Sequence, residues 1–385
     1  MKIASIDVTR IAIPFDAQRR APEHQETTFN AASSSLRRME TLLVKITCDN
    51  GLCGWGEAFG HLANPVTEQA ICTLVAPAFI GKPLPDSPDA IAALMQQAEK
   101  ALHAFGRSGP VRFALSAVDI ALWDALGQRQ QKPLWQLLGA ARQRIERYAS
   151  LVSYDNQPVA VAAQVKRAWD EGFTTLKLHE TTFDAIQAAR DALPAQAELL
   201  VDVNCPWTRE EAAQQAHELR SLQLGWLEEP IWPPDDYQGL AQLKRVGVPL
   251  AAGENVDADL GFMHLLENGA VDVAQPSVAK VGGISAALRV FAAAQQYRVR
   301  VVPHCFYYGA GLLATAHLVA LLPDDIKLET PWIDFEARLY PDLPRDVAFT
   351  LSSRPGLGYA PDEEVLRHYR LSLSQITDKG VRRYA

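Results

Sequence analysis

The side chains best able to do chemistry fall at a regular interval. Lys177 with His179, Asp202 with Asn204, Glu228 with Glu229, Glu254 with Asn255, then Ser277, His304 and Glu329 recur about every 25 residues, the length of one strand–helix unit. Asp202, Glu228 and Glu254 come from three consecutive units. Three hard oxygen donors with no thiolate or imidazole among them suit Mg²⁺, which takes a few carboxylates and keeps positions for water or substrate. Ca²⁺ would want more protein ligands, and Zn²⁺ would want nitrogen or sulfur. Asn204, Glu229 and Asn255 then stand behind these ligands or face substrate. Lys177 and His179, two apart on a strand, point the same way. His304 ends a strand on the opposite flank, so two bases would face a metal-bound substrate from opposite sides. Lys177 is expected to be cationic, and a neutral His179 to be a competent general base.

The elements that must position these groups are short β-rich runs at 147–152, 174–179, 198–203, 225–228, 249–252, 271–275, 298–303 and 326–329, with helical segments between most of them. Such alternation predicts a parallel sheet, and eight units closing on themselves predict a (β/α)8-type barrel. Each polar group above sits at the C-terminal end of its run, on the rim where barrel active sites are built.

Before this pattern the chain reads differently. A strand opens it, and a second strand at 41–47 leads through Asp49-Asn50-Gly51, a hairpin signal, into a partner strand. Residues 15–38 are too long and polar for a tight connection and predict a lid. Val111, Leu115, Val118, Leu122 and Leu126 mark one face of a helix ending at Gly127. Asp119 and Asp124 on that helix read as local hydrogen-bonding groups.

Composition sets the bounds. At 385 residues one compact core is unexpected and two domains are predicted. Acidic residues outnumber basic ones 45 to 37, for a net charge of −8, which argues against a nucleic-acid partner. No apolar run approaches the ~20 residues of a membrane span. Five cysteines, an odd number without a Cys-x-x-Cys pair, predict a reducing cytoplasm rather than a disulfide framework.

The motifs Leu200-Val201-Asp202-Val203-Asn204, Leu227-Glu228-Glu229-Pro230, Gly253-Glu254-Asn255, Lys280-Val281-Gly282-Gly283-Ile284, Pro303-His304 and Leu328-Glu329 together resemble the enolase superfamily, within it the mandelate racemase-like branch. The resemblance implies an α/β fold: a modified (β/α)7β TIM-type barrel over 141–335, an N-terminal α+β capping domain over 1–140, and a C-terminal segment, 336–385, returning to the cap. It implies Mg²⁺ on Asp202, Glu228 and Glu254, Lys177 as an electrophile and His304 as an acid/base. It also implies Glu329 as a protonated acid on a substrate carboxylate oxygen, and a homo-oligomer from dimer to octamer. The shared chemistry is removal of a proton α to a carboxylate through an enediolate. Two departures stand out. Lys177-Leu178-His179 replaces Lys-x-Lys, so the base is an imidazole. Ser277 replaces the usual strand-six Asp, and a serine cannot stabilise an imidazolium by charge, so His304 is expected to donate rather than abstract. Lys280 reads as structural.

The leading expectation is dehydration of a sugar acid or related hydroxy acid, a small-molecule carboxylate. The alternatives are a racemase, epimerase or cycloisomerase of a carboxylic acid, and a catalytically weak metal-binding relative. Substrate contacts are expected from the lid and from Glu57, His61, Tyr307 and Tyr308.

Overall fold

The computed structural model describes residues 1–19 and 36–384, so residues 20–35 of the expected lid lie outside the described residues. The first sheet is antiparallel. It contains β1 (Ile3–Asp16), β2 (Arg38–Cys48) and β3 (Cys53–Ala58). Ile6, Val8, Ile11 and Ile13 of β1 are fully buried, as are Leu42, Leu43, Val44 and Ile46 of β2.

The long helix Gly109–Gln130 lies across β3. Gly54 and Gly56 make this approach possible, because a Cβ at either would overlap the helix carbonyl oxygens of Ala121 or Ala117. The helix runs three residues beyond the expected stop at Gly127. Gly127 instead admits the backbone of Gly356, which a side chain there would strike. Asp124 makes one local bond, accepting from Gln128 Nε2 at 3.4 Å, but the shorter bonds of both carboxylates reach distant segments. Asp119 accepts from Ser285 N and Oγ at 3.0 and 2.5 Å, and Asp124 from Trp55 N and Leu357 N at 2.8 Å each. They pin the helix to segments on either side of it.

The second sheet is the barrel. Its parallel strands are β4 (Arg144–Ser150), β5 (Thr175–Leu178), β6 (Glu198–Asp202), β7 (Trp226–Glu228), β8 (Leu250–Ala252), β9 (Val273–Ala274), β10 (Arg300–Val301) and β11 (Leu328–Pro331). They pair in sequence from β4 to β10, and β11 pairs with β4. Most are shorter than their apolar runs, because the rim residues turn away from the ladder. Between β10 and β11 no ladder pair is formed among the described residues; Cys305 N–H there donates to Glu329 Oε2 at 2.8 Å. A helix follows every strand from β4 to β10, whereas β11 is followed by β12 (Asp334–Phe335) and β13 (Ala348–Thr350). The eighth helix of a regular barrel is thus missing. The chain then returns to the first sheet through β14 (Arg370–Thr377) and β15 (Gly380–Tyr384), with β14 on β1. The protein is an α/β modified barrel with an N-terminal cap.

Candidate active site

Asp202, Glu228 and Glu254 end β6 and β7 and follow β8, and each offers an oxygen within 4.8 Å of the others. Adjacent parallel strands in register bring them together: Asp202 is the ladder partner of Glu228. Asn204, Cys205 and Glu229 just beyond the strand ends take left-handed backbone, with φ of 53°, 57° and 47°. Non-glycine residues there are uncommon and mark sharp turns at functional sites.

Each carboxylate is held. Asp202 Oδ1 accepts from the backbone and side-chain nitrogens of Asn204 at 3.0 and 2.9 Å. Glu228 Oε2 accepts from Trp226 Nε1 at 2.9 Å. Glu254 Oε1 accepts from Asn255 Nδ2 at 3.1 Å. Lys177 Nζ, wholly buried, lies 2.7 Å from Glu329, 3.0 Å from Glu228 and 3.3 Å from Asp202. Glu329 Oε1 also accepts from Ser150 Oγ at 2.8 Å.

The charges of this dry cluster do not balance. Burial lowers the lysine's pKa, but Glu228, Glu329 and Asp202 more than reverse this and hold it cationic. Burial raises Asp202, yet Lys177 and His179 bring it down to about 2. Glu254 is held well below its ordinary value, because His304 and Lys280 outweigh its burial. Glu228 goes the other way: burial and the Asp202 charge raise it well above a normal carboxyl. The acidic groups outnumber the cation that serves them. A hard divalent cation fits this donor set, since it would supply the missing positive charge to three oxygen ligands.

Glu329 is governed by the same lysine. Burial raises it, but Lys177, His304 and its hydrogen-bond donors together leave it below 4.5. The buried lysine thus favours the charged form of this acid.

Two imidazoles flank the cluster. His179 Nδ1 bonds to the carbonyl oxygen of Leu151 and must carry the proton of that bond. Its Nε2 then faces the cluster, 3.4 Å from Asp202 Oδ2, as the ring atom left to hold or take up a proton there. His304 Nε2 lies 2.6 Å from Glu254 Oε2, and its Nδ1 lies 3.1 Å from Ser277 Oγ. Ser277 Oγ in turn bonds Tyr307 OH. The imidazole is thus backed by two neutral hydroxyls.

Residues 160–365 match the enolase C-terminal domain-like family, and residues 15–139 match the N-terminal domain of mandelate racemase/muconate lactonizing enzymes. The chain belongs to the mandelate racemase/muconate lactonizing enzyme family of the enolase superfamily. It is 27% identical to the arabinonate dehydratase of Saccharolobus solfataricus over 86% of this chain and 91% of the relative. It is 29% identical to the D-galactarolactone cycloisomerase of Agrobacterium fabrum over 91% of this chain and 96% of that one. Among solved structures, the 3,6-anhydro-D-galactonate cycloisomerase of Zobellia galactanivorans superposes with a TM-score of 0.81 at 27% identity, covering 96% of this chain and 99% of that one.

The other expected contacts of this mandelate racemase-family site divide. Half-buried His61 stacks edge-on against Phe59 at 4.7 Å, with Nδ1 buried and without a hydrogen-bond partner among the described residues. Burial lowers its pKa to about 4, helped by Lys280 and His304 and opposed by Glu254; its partner ring Phe59 lies 6.1 Å from Tyr307 and 4.4 Å from Lys280 Nζ, on the His304 side of the cluster. Tyr307 is brought beside His304, with ring centroids 5.8 Å apart. Glu57 is not brought to the cluster. It is buried under the helix Ala310–Val319, accepting from Gly311 N at 2.7 Å and from Thr41 Oγ1. Tyr308 is likewise spent on packing, its hydroxyl donating to Met39 O at 2.9 Å.

Lys280 was the residue missed. Its Nζ donates to Asn255 Oδ1 at 2.8 Å, approaches Glu254 Oε1 at 3.7 Å and lies 4.4 Å over the Phe59 ring. The signal was its place one helical turn after the strand-six position Ser277, in the short helix Val278–Val281, which carries its side chain back to the rim.

Proposed function

We propose that this enzyme dehydrates a sugar acid with Mg²⁺ held by Asp202, Glu228 and Glu254. The observation that carries the reading is the carboxylate trio with an imidazole Nε2 on each flank, His179 at Asp202 and His304 at Glu254. When bound, the ion supplies positive charge to the substrate carboxylate, where negative charge develops. Lys177 adds a hydrogen-bond donor at the same oxygens. His179 Nε2 takes the α-proton as the C–H bond breaks. The electron pair left behind first passes into the substrate carboxylate as an enediolate; it then returns to form the Cα–Cβ double bond as the β C–O bond breaks, and His304 Nε2–H protonates the departing hydroxyl, which leaves as water. The enol then tautomerises to a 2-keto acid. The named activities of the dehydratase relatives support this reading, as do Asn204, His61 and Tyr307 around the cluster, which we assign to substrate contact.

The test is a panel of aldonic and aldaric acids with Mg²⁺. A 2-keto product is expected from at least one, and none from any would refute the dehydration. The near-symmetric placement of the two imidazoles, and the cycloisomerase relatives, favour one second reading, an epimerase or cycloisomerase. It predicts α-proton exchange in deuterated water without loss of water.

We further take residues 1–140 as the cap, 141–335 as the barrel and 336–385 as the returning segment. The five unpaired cysteines support a reducing cytoplasm. A homo-oligomer is expected, to be measured by light scattering.

A further inference from the structure

The flank without an eighth helix holds a cavity of about 530 Å³, well within the roughly 300–1,000 Å³ of small-molecule sites. One wall is apolar, with Tyr308, Leu312 and Trp332. Another is cationic, with Arg147, Arg338 and Arg345. The remaining charges of the lining satisfy one another: Arg167 bonds Glu171 and Asp334 at 3.0 Å each.

The cationic wall is not satisfied in this way. Arg147 leaves the barrel on the outer side of β4 and is 9% exposed. Its Nη2 donates to Pro344 O at 2.7 Å and its guanidinium lies 4.4 Å over the Phe349 ring, but its buried Nε has no acceptor among the described residues. Burial lowers its pKa to about 10, with Arg338 adding to this and Asp346 opposing it. Arg338 is in turn lowered by burial and by Arg345, against the pull of Asp342. Its own donors are spent on the carbonyls of Pro341 and Leu343, so it contributes charge rather than free hydrogen bonds. A nearly buried guanidinium beside a like charge is costly unless anions compensate it, and Asp346, which bonds none of its nitrogens, does so only in part.

We infer that this cavity is a second binding site, for a small organic anion whose carboxylate or phosphate is held by Arg147 and Arg345 and whose body lies against Tyr308, Leu312 and Trp332. The planar fork of arginine suits both oxyanions, and the ring-lined wall suits a metabolite better than a bare ion. The site lies outside the barrel, against the strand ends that carry His304 and Glu329.

Isothermal titration of the full chain in EDTA, at constant ionic strength, tests this with inorganic phosphate and, separately, acetate. Saturable binding of either is expected, and which one binds identifies the headgroup. Arg147→Met and Arg345→Ala should each weaken it by roughly tenfold or more, while Glu254→Gln at the carboxylate cluster should leave it unchanged. Arg345 is exposed, so its variant carries the test even if Arg147→Met fails to fold. Binding of neither anion, binding undiminished in Arg345→Ala, or binding lost in Glu254→Gln would overturn the inference.

Discussion

Replacing Lys177 by methionine removes the cation from the centre of the acidic cluster while keeping most of its volume. In the native protein its Nζ lies 2.7, 3.0 and 3.3 Å from Glu329, Glu228 and Asp202, and all four side chains are essentially out of water. Leaving buried charges without their partner costs about 3–5 kcal/mol. The metal-free variant should therefore be destabilised by about that amount at pH 7, read from urea unfolding. The cost should shrink as pH falls towards 5, because the stranded carboxylates take up protons. It should also shrink on adding Mg²⁺, since a divalent ion supplies charge to the same oxygens, and the variant should bind Mg²⁺ more tightly than the native chain. Turnover should still be lost, because the donor to the substrate carboxylate is gone. A loss under about 1 kcal/mol, or a full loss that Mg²⁺ does not reduce, would refute the charge-shortage argument.

His179→Asn and His304→Asn should each lower kcat by about 10²–10⁴-fold. Only the His304 variant should retain exchange of the substrate α-proton in deuterated water, read by NMR. Burial lifts Glu57 from 4.5 to about 7 against the pull of Thr41 and Gly311. Between these values only the unfolded chain has released the proton, so stability falls as pH rises from about 4.5 to 7, by about 3 kcal/mol in total. Glu57→Gln should flatten that part of the profile in denaturation measured from pH 5 to 8. Gly56→Ala, which forces a methyl against the Ala117 carbonyl, should cost about 1–3 kcal/mol, seen as a lowered Tm, with the carboxylate cluster intact by Mg²⁺ titration.

The interval between rim residues could be read from the chain because a parallel barrel repeats one structural unit, and the last side chain of each strand must meet its neighbours across the ladder. Asp202, Glu228 and Glu254 converge for that reason. What could not be read depends on distances between segments remote in sequence. Asp119 and Asp124 looked like local groups, since Ser285 and Leu357, more than a hundred residues away, gave no sign of facing them. Glu57 was placed at the substrate because it sits in a loop-like motif near the cap; its partners Thr41 and Gly311 are set by the β2–β3 register and by a helix far along the chain. β9 and β10 shrank to two residues each, as apolar runs do not record where the ladder stops.

The join between β10 and β11 couples architecture to chemistry. There the hoop is fastened by one carboxylate, with Cys305 N–H on one oxygen and Lys177 on the other. The neighbour of His304 is thus tethered by the very group that clasps the central ammonium. A shift of either end would be felt by the other, so the backbone beside His304 and the Lys177 ammonium are coupled through Glu329. Drift at position 329 would loosen both flanks of the reaction together.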